Sequence, residues 1–94
     1  MAFARVISFE EVGSDRIEQL KREIEESGRP EEVPATEIVV LHDAGAEKAL
    51  VVLFFESEDD YERGDEALNA MAASDTPGRR TSVTKYDVAV RLTG

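Results

Sequence analysis

The 94-residue chain contains no cysteine and no tryptophan, and it has one histidine and three prolines. Without cysteine there is no disulfide, no thiolate metal site and no thiol nucleophile. Positive charge is also scarce: 11 basic residues face 21 acidic ones, for a net charge of −10. That balance repels phosphate backbones and anionic membrane surfaces, so neither nucleic acid nor a membrane is expected as a partner. No apolar run approaches the roughly 20 residues that span a bilayer, and the N-terminus lacks a basic region followed by a long apolar one. A cytoplasmic protein is the expectation. The length fits one domain over residues 1–94, and a chain this short removes only roughly 60–65 % of its unfolded surface from water, so oligomerisation is the remaining source of stability.

What is present centres on residues 36–56, TEIVVLHDAGAEKALVVLFFE. Two apolar, β-branched and aromatic runs, Ile38 to Leu41 and Ala49 to Phe55, flank the turn-prone Asp43-Ala44-Gly45-Ala46 and predict a hairpin. Before it, Phe3, Arg5, Ile7 and Phe9 alternate with Ala4, Val6 and Ser8, the period of a first strand. Val12-Gly13-Ser14-Asp15 supplies N-capping candidates, with Glu18 three residues after Asp15 as in a capping box; Ile17, Leu20 and Ile24 then recur at helical spacing, with Gly28 as the stop. Arg29 to Ala35, with two prolines, reads as a loop.

After the hairpin, Ser57-Glu58-Asp59-Asp60 reads as a capped helix start with acids at the positive end of the dipole. Tyr61, Gly64, Leu68 and Met71 form one apolar stripe, and Ser74 to Arg80 breaks the helix. Thr81 to Leu92 alternates again and predicts a fourth strand. The order β-α-β-β-α-β predicts an α+β, ferredoxin-like fold: a four-stranded antiparallel sheet of order 4-1-3-2 with both helices on one face.

The hairpin is apolar on both faces, whereas a sheet with one wet face alternates. Five large side chains, Val39, Leu41, Leu50, Val52 and Phe54, would each lose roughly 1.5–3 kcal/mol if left in water, together comparable to the whole stability of a small domain. A homodimer whose sheets pack face to face, through an isologous interface, is therefore expected.

Length, element order, two-faced central strands, and an aromatic-bearing second helix after a Phe-rich strand resemble the dimeric α/β-barrel superfamily, within it the antibiotic-biosynthesis-monooxygenase-like proteins. The resemblance implies a dimeric α/β barrel with a mostly apolar pocket in each subunit between sheet and helices. Some members of that group oxygenate or rearrange aromatic polyketides without metal or flavin, and others degrade haem. It implies a small hydrophobic or aromatic ligand, with a cofactor-independent monooxygenase or isomerase as the alternative reading and no cofactor expected. A module using its acidic helices for interaction is a further alternative: nine acids lie between Glu10 and Glu32 and seven between Glu56 and Glu66.

Candidate chemistry is sparse. His42 is the one side chain whose type titrates near neutrality, which makes it the default proton-transfer group, with Tyr61 beside it as the second catalytic candidate. Arg5 interrupts an apolar strand face and must be paired or line a cavity, as an ion-pair partner or an anion site. Gly64 on the apolar stripe of helix two either opens room for a ligand next to Leu68 or allows close packing. Tyr86, Asn69 and Arg80, the last in the basic Pro77-Gly78-Arg79-Arg80 loop, complete the candidate ligand-binding set. No residue cluster points to a metal.

Overall fold

The computed structural model describes residues 2–28, 33–70 and 78–92. The elements are β1 (Phe3–Glu10), α1 (Ser14–Ser27), β2 (Glu37–Asp43), β3 (Lys48–Phe55), α2 (Glu58–Asn69) and β4 (Arg79–Asp87). All strand pairs are antiparallel, in the spatial order β2-β3-β1-β4, which is the expected 4-1-3-2 read from the other edge.

Register decides which side chains share a face. Arg5 lies opposite Leu53, Ile7 opposite Val51 and Phe9 opposite Ala49, with Ile38, Val40 and His42 of β2 continuing the same rows. This face meets the helices. Its core contains Ile7, Phe9, Val12, Val33, Ala35, Ala49, Leu53, Phe55 and Tyr61. The opposite face carries Ala4, Val6 and Ser8 of β1, Val39 and Leu41 of β2, and Leu50, Val52 and Phe54 of β3. Within one chain much of it stays open, with Leu41 51 % and Leu50 39 % exposed.

The helices differ in how firmly they dock. Helix α2 is capped by Ser57, whose hydroxyl accepts from the Asp60 N–H at 3.1 Å, and three acids occupy its first turn. It buries Tyr61 and Gly64 against the sheet. Helix α1 has no fully buried residue, and its Ile17, Leu20 and Ile24 are only half-buried. Of the capping candidates Gly13 takes the N-cap position, two residues before Asp15, so the Asp15–Glu18 capping box does not form and no side chain caps the helix. It ends at Gly28, whose positive φ of 68° is open to glycine at no steric cost.

The fourth strand is shorter than the alternation predicts and shifted toward the N-terminus. Arg79 and Arg80 are strand residues opposite Glu10 and Phe9, and pairing ends where Asp87 meets Phe3 at the start of β1. Beyond Asp87 there is no further β1 to pair with. The Val88 N–H instead donates to the Ala2 carbonyl, and the tail crosses one end of the open face to set the Arg91 guanidinium 4.6 Å from the Phe54 ring and against the Glu37 carboxylate. Met71 and Pro77 lie outside the described residues.

Candidate functional site

Two places combine polar side chains with the helix-facing side of the sheet. The first lies beneath α2. Arg5 projects from the middle of β1 into the core and is 1 % exposed. Its Nε donates to Asp65 Oδ1 at 2.7 Å and one terminal nitrogen donates to Asn69 Oδ1 at 3.0 Å. Asn69 Oδ1 also accepts from Arg80 at 3.0 Å, while the Asn69 amide donates to Asp65 Oδ2 at 3.4 Å. Asp65 and Asn69 stand one helical turn apart, so both reach the same guanidinium. A buried cation is compensated here by a carboxylate of its own chain, which is the ion-pair reading of Arg5 within a single subunit.

Beside this network the Tyr61 ring meets Phe55 edge-on, with centroids 5.4 Å apart and planes at 69°. Lys85, opposite Arg5 on β4, holds its ammonium 4.8 Å from the Phe3 ring centre and 4.9 Å from that of Tyr61, and pairs with Glu58 at 3.4 Å. Burial, then the neighbouring Asp65 carboxylate, pushes the Tyr61 phenol above its ordinary pKa of 10.0, and Arg5 opposes them. A phenol that keeps its proton well past neutrality donates hydrogen bonds but supplies no base at neutral pH.

Gly64 faces Phe55: a Cβ there would lie 2.5 Å from ring carbon Cε1 and 2.6 Å from Cζ. The glycine lets the aromatic ring approach the helix backbone, so the space above it is taken by the protein's own ring. Leu68 packs against the same core.

The second place lies under α1. A groove of about 250 Å³ runs between that helix and β2, lined by Ile17, Leu20, Ile24 and Val40, with Lys21 and Glu25 at its rim and His42 as its polar wall. The sequence of the preceding turn positions the imidazole. After β1 the chain turns through Glu11 in the left-handed conformation, φ 61°, and buries Val12 completely. The Val12 N–H donates to the Glu47 carbonyl at 2.7 Å, and His42 Nε2 lies 2.9 Å from the Val12 carbonyl. His42 also borders a more open hollow of about 370 Å³ at the hairpin end, with Ser8, Leu41, Asp43, Lys48, Ala49 and Leu50.

The structure thus gathers Arg5, Asn69 and Arg80 into one network and sets Tyr61, Gly64 and Leu68 beside it, but it separates His42 from Tyr61. His42 pairs with Ala49, whereas Tyr61 packs on Phe55 six residues along β3, a span of about 20 Å at the rise of a strand. The two do not form one catalytic pair. Tyr86 is also misplaced by the sequence reading. Because Asp87 lies opposite Phe3, Lys85 takes the helix side and Tyr86, opposite Ala4, points to the open face, 54 % exposed. Three contributors escape the sequence reading. Asp65 lies outside the Tyr61, Gly64, Leu68 stripe, and its role follows only from where α2 docks over Arg5. Lys85 and the Val12 carbonyl depend on register and a turn, for which no local signal exists. Among the described residues no group of three or more His, Asp or Glu could hold a metal.

No protein-family model matches the chain. No curated protein matches it either. Among solved structures, a point mutant of MhuD with two manganese protoporphyrin IX molecules bound per active site superposes with a TM-score of 0.64 at 20 % identity, covering 98 % of this chain and 99 % of that one. A putative antibiotic biosynthesis monooxygenase from Chloroflexus aurantiacus J-10-fl gives a TM-score of 0.56 at 10 % identity, covering 100 % and 96 %. The superpositions cover both chains almost end to end, so this chain shares the ferredoxin-like fold of those two structures.

Proposed function

We propose that the protein is a homodimer joined through its open sheet faces, and that each subunit binds a small hydrophobic or aromatic molecule in the groove between α1 and β2. The observation that carries the reading is the groove itself: aliphatic walls from Ile17, Leu20, Ile24 and Val40 around a single imidazole. An apolar cavity with few, fixed polar groups is the usual form of a small-molecule site. MhuD, of the same fold, holds flat aromatic macrocycles. The groove here is near or below the about 300–1,000 Å³ common for drug-sized ligands, which favours a ligand of one or two rings over a tetrapyrrole.

Fluorescence titration with naphthalene tests the site. One saturable site per subunit is expected in the wild type, with at least tenfold weaker binding in Ile24→Glu at unchanged circular dichroism. Absence of saturable binding to the wild type refutes the reading. Sedimentation equilibrium tests the assembly: the wild type is expected to be a dimer at micromolar concentration and Val52→Asp a monomer. The enzymatic alternative, a cofactor-independent oxygenase or isomerase, rests on His42 alone, since Tyr61 lies elsewhere.

A further inference from the structure

The shape of the groove follows from the elements that make it. Its helical wall is the stripe Ile17, Leu20 and Ile24, two turns of α1, which at the rise of a helix is about 10 Å long. Its sheet wall is Val40 and His42, both on β2. That strand is an edge of the sheet, so no further strand of the chain closes the outer side. The space is therefore about one strand wide, roughly 5 Å, and twice as long. It exists because α1 stays off the sheet with its stripe half-buried, whereas α2 is seated through Gly64.

The lining suits a chain better than a ring. None of the four phenylalanines and two tyrosines lines the groove, so a flat ring placed there finds no ring to pack against and forgoes the added attraction of such a pair. A saturated chain loses nothing by that absence. At about 30 Å³ for a group the size of a water molecule, a methylene included, the groove of about 250 Å³ takes about eight carbons. The polar groups bear on the head group. His42 Nε2 is engaged by the Val12 carbonyl at 2.9 Å, and Lys21 and Glu25, one turn apart on the rim, offset each other. Beyond them α1 carries five acids against three bases, so a carboxylate head would approach a helix of its own sign. A neutral head meets no such repulsion. We infer that the groove takes an uncharged medium-chain aliphatic compound, an alcohol or aldehyde of about eight carbons, with its chain along α1 and its head group in water at the open edge of β2. This rests on the small-molecule reading of the groove and names the ligand class within it, a flexible chain in place of the flat macrocycles that MhuD holds.

Titration calorimetry with the straight-chain alcohols from butanol to decanol tests the length directly. Affinity is expected to rise about fourfold with each methylene that enters the groove. It should level off at about eight carbons, where further methylenes reach water. At low ionic strength octanoate should bind several-fold more weakly than octanol. Val40→Phe takes up part of the groove and should move the break to shorter chains at unchanged circular dichroism. A rise that continues evenly through decanol, an affinity indifferent to chain length, or octanoate bound as tightly as octanol overturns the inference from the wild type alone. An unmoved break in Val40→Phe puts the chain outside the groove and overturns it as well. Saturable binding of naphthalene without binding of octanol does the same while leaving the groove as a binding site. Failure of naphthalene and of every alcohol to bind removes the site and the inference together.

Discussion

Replacing Asp65 by alanine is the sharpest perturbation of the polar network under α2. It leaves the Arg5 guanidinium in place, 1 % exposed, without the carboxylate that receives its Nε proton at 2.7 Å. Breaking a fully buried pair by removing one partner costs about 3–5 kcal/mol because an uncompensated charge remains behind. The Asp65 side chain is itself 36 % exposed and the Asn69 oxygen still accepts from Arg5, so the loss here is expected at or below the bottom of that range, about 2–3 kcal/mol. For a domain of this size each kcal/mol moves the melting temperature by about 4–8 °C, so a fall on the order of 8–24 °C follows. The assay is thermal unfolding at one fixed protein concentration, since self-association would make the midpoint concentration-dependent. A companion variant separates burial from charge: Arg5→Met combined with Asp65→Ala removes both charges and should lose less stability than Asp65→Ala alone. A single-variant loss below about 0.5 kcal/mol, the size of an ordinary surface substitution, would refute the reasoning, because Arg5 would then have to find water or another partner at little cost.

Gly64→Ala should destabilise the fold by about 1–2 kcal/mol: the new Cβ would sit 2.5 Å from the Phe55 ring, and overpacking outweighs the gain in helix propensity of about 1 kcal/mol. Chemical denaturation reads the change, and Phe55→Leu in the same chain should recover part of it. Tyr61 ionises above 10.0, so below pH 10 its contribution to stability is intact. As pH rises through the folded-state value, the unfolded chain has already released a proton that the native state still holds, and stability falls. Tyr61→Phe should remove that part of the alkaline slope in denaturation curves measured from pH 9 upward. Glu47 holds a left-handed φ of 53°, and Glu47→Gly should stabilise by up to about 1 kcal/mol through relief of that conformation. A loss of stability in that variant would mean that the Glu47 side chain matters more than its backbone.

Much of the fold was legible because it is written in periodicity. Alternation along Phe3 to Phe9 and the two-faced runs of the hairpin fix the strands, and their arrangement follows from the element order. Ser57 caps α2 as its residue type predicts. The failures have a common physical origin in tertiary pairing. Arg79 and Arg80 read as loop because proline and glycine precede them, yet Glu10 draws Arg79 into the ladder at 2.6 Å. Val88, Val90 and Leu92 continue the alternation of β4 past the end of β1, where no partner strand remains. Sequence alone marked Arg5 as a residue needing a partner. Which partner depended on the placement of α2. The groove under α1 was less legible still, because the one local signal for a cavity, Gly64, lies on the second helix, where the Phe55 ring fills the space. A stripe as narrow as Ile17, Leu20 and Ile24 gives no measure of how closely its helix settles.

The division of charge between the two sides of the sheet carries one more consequence. Helix α2 has six acids and one base, α1 five acids and three bases, and both lie on one side. On the other side the charges stand at the rims and offset one another: Glu37 meets Arg91 at one end, and at the other Glu10 meets Arg79 and Lys48, with Asp43 across the ladder from Lys48. The molecule is therefore electrostatically two-sided, with like-charge repulsion on its helical hemisphere and near balance on its sheet hemisphere. Repulsion of this kind filters orientation rather than adding affinity: approaches that bring helices together are penalised, and only sheet-first encounters escape. Added salt screens the penalty and leaves the apolar attraction in place, so the selectivity for one mode of association should be greatest in dilute buffer and should relax as the Debye length shortens.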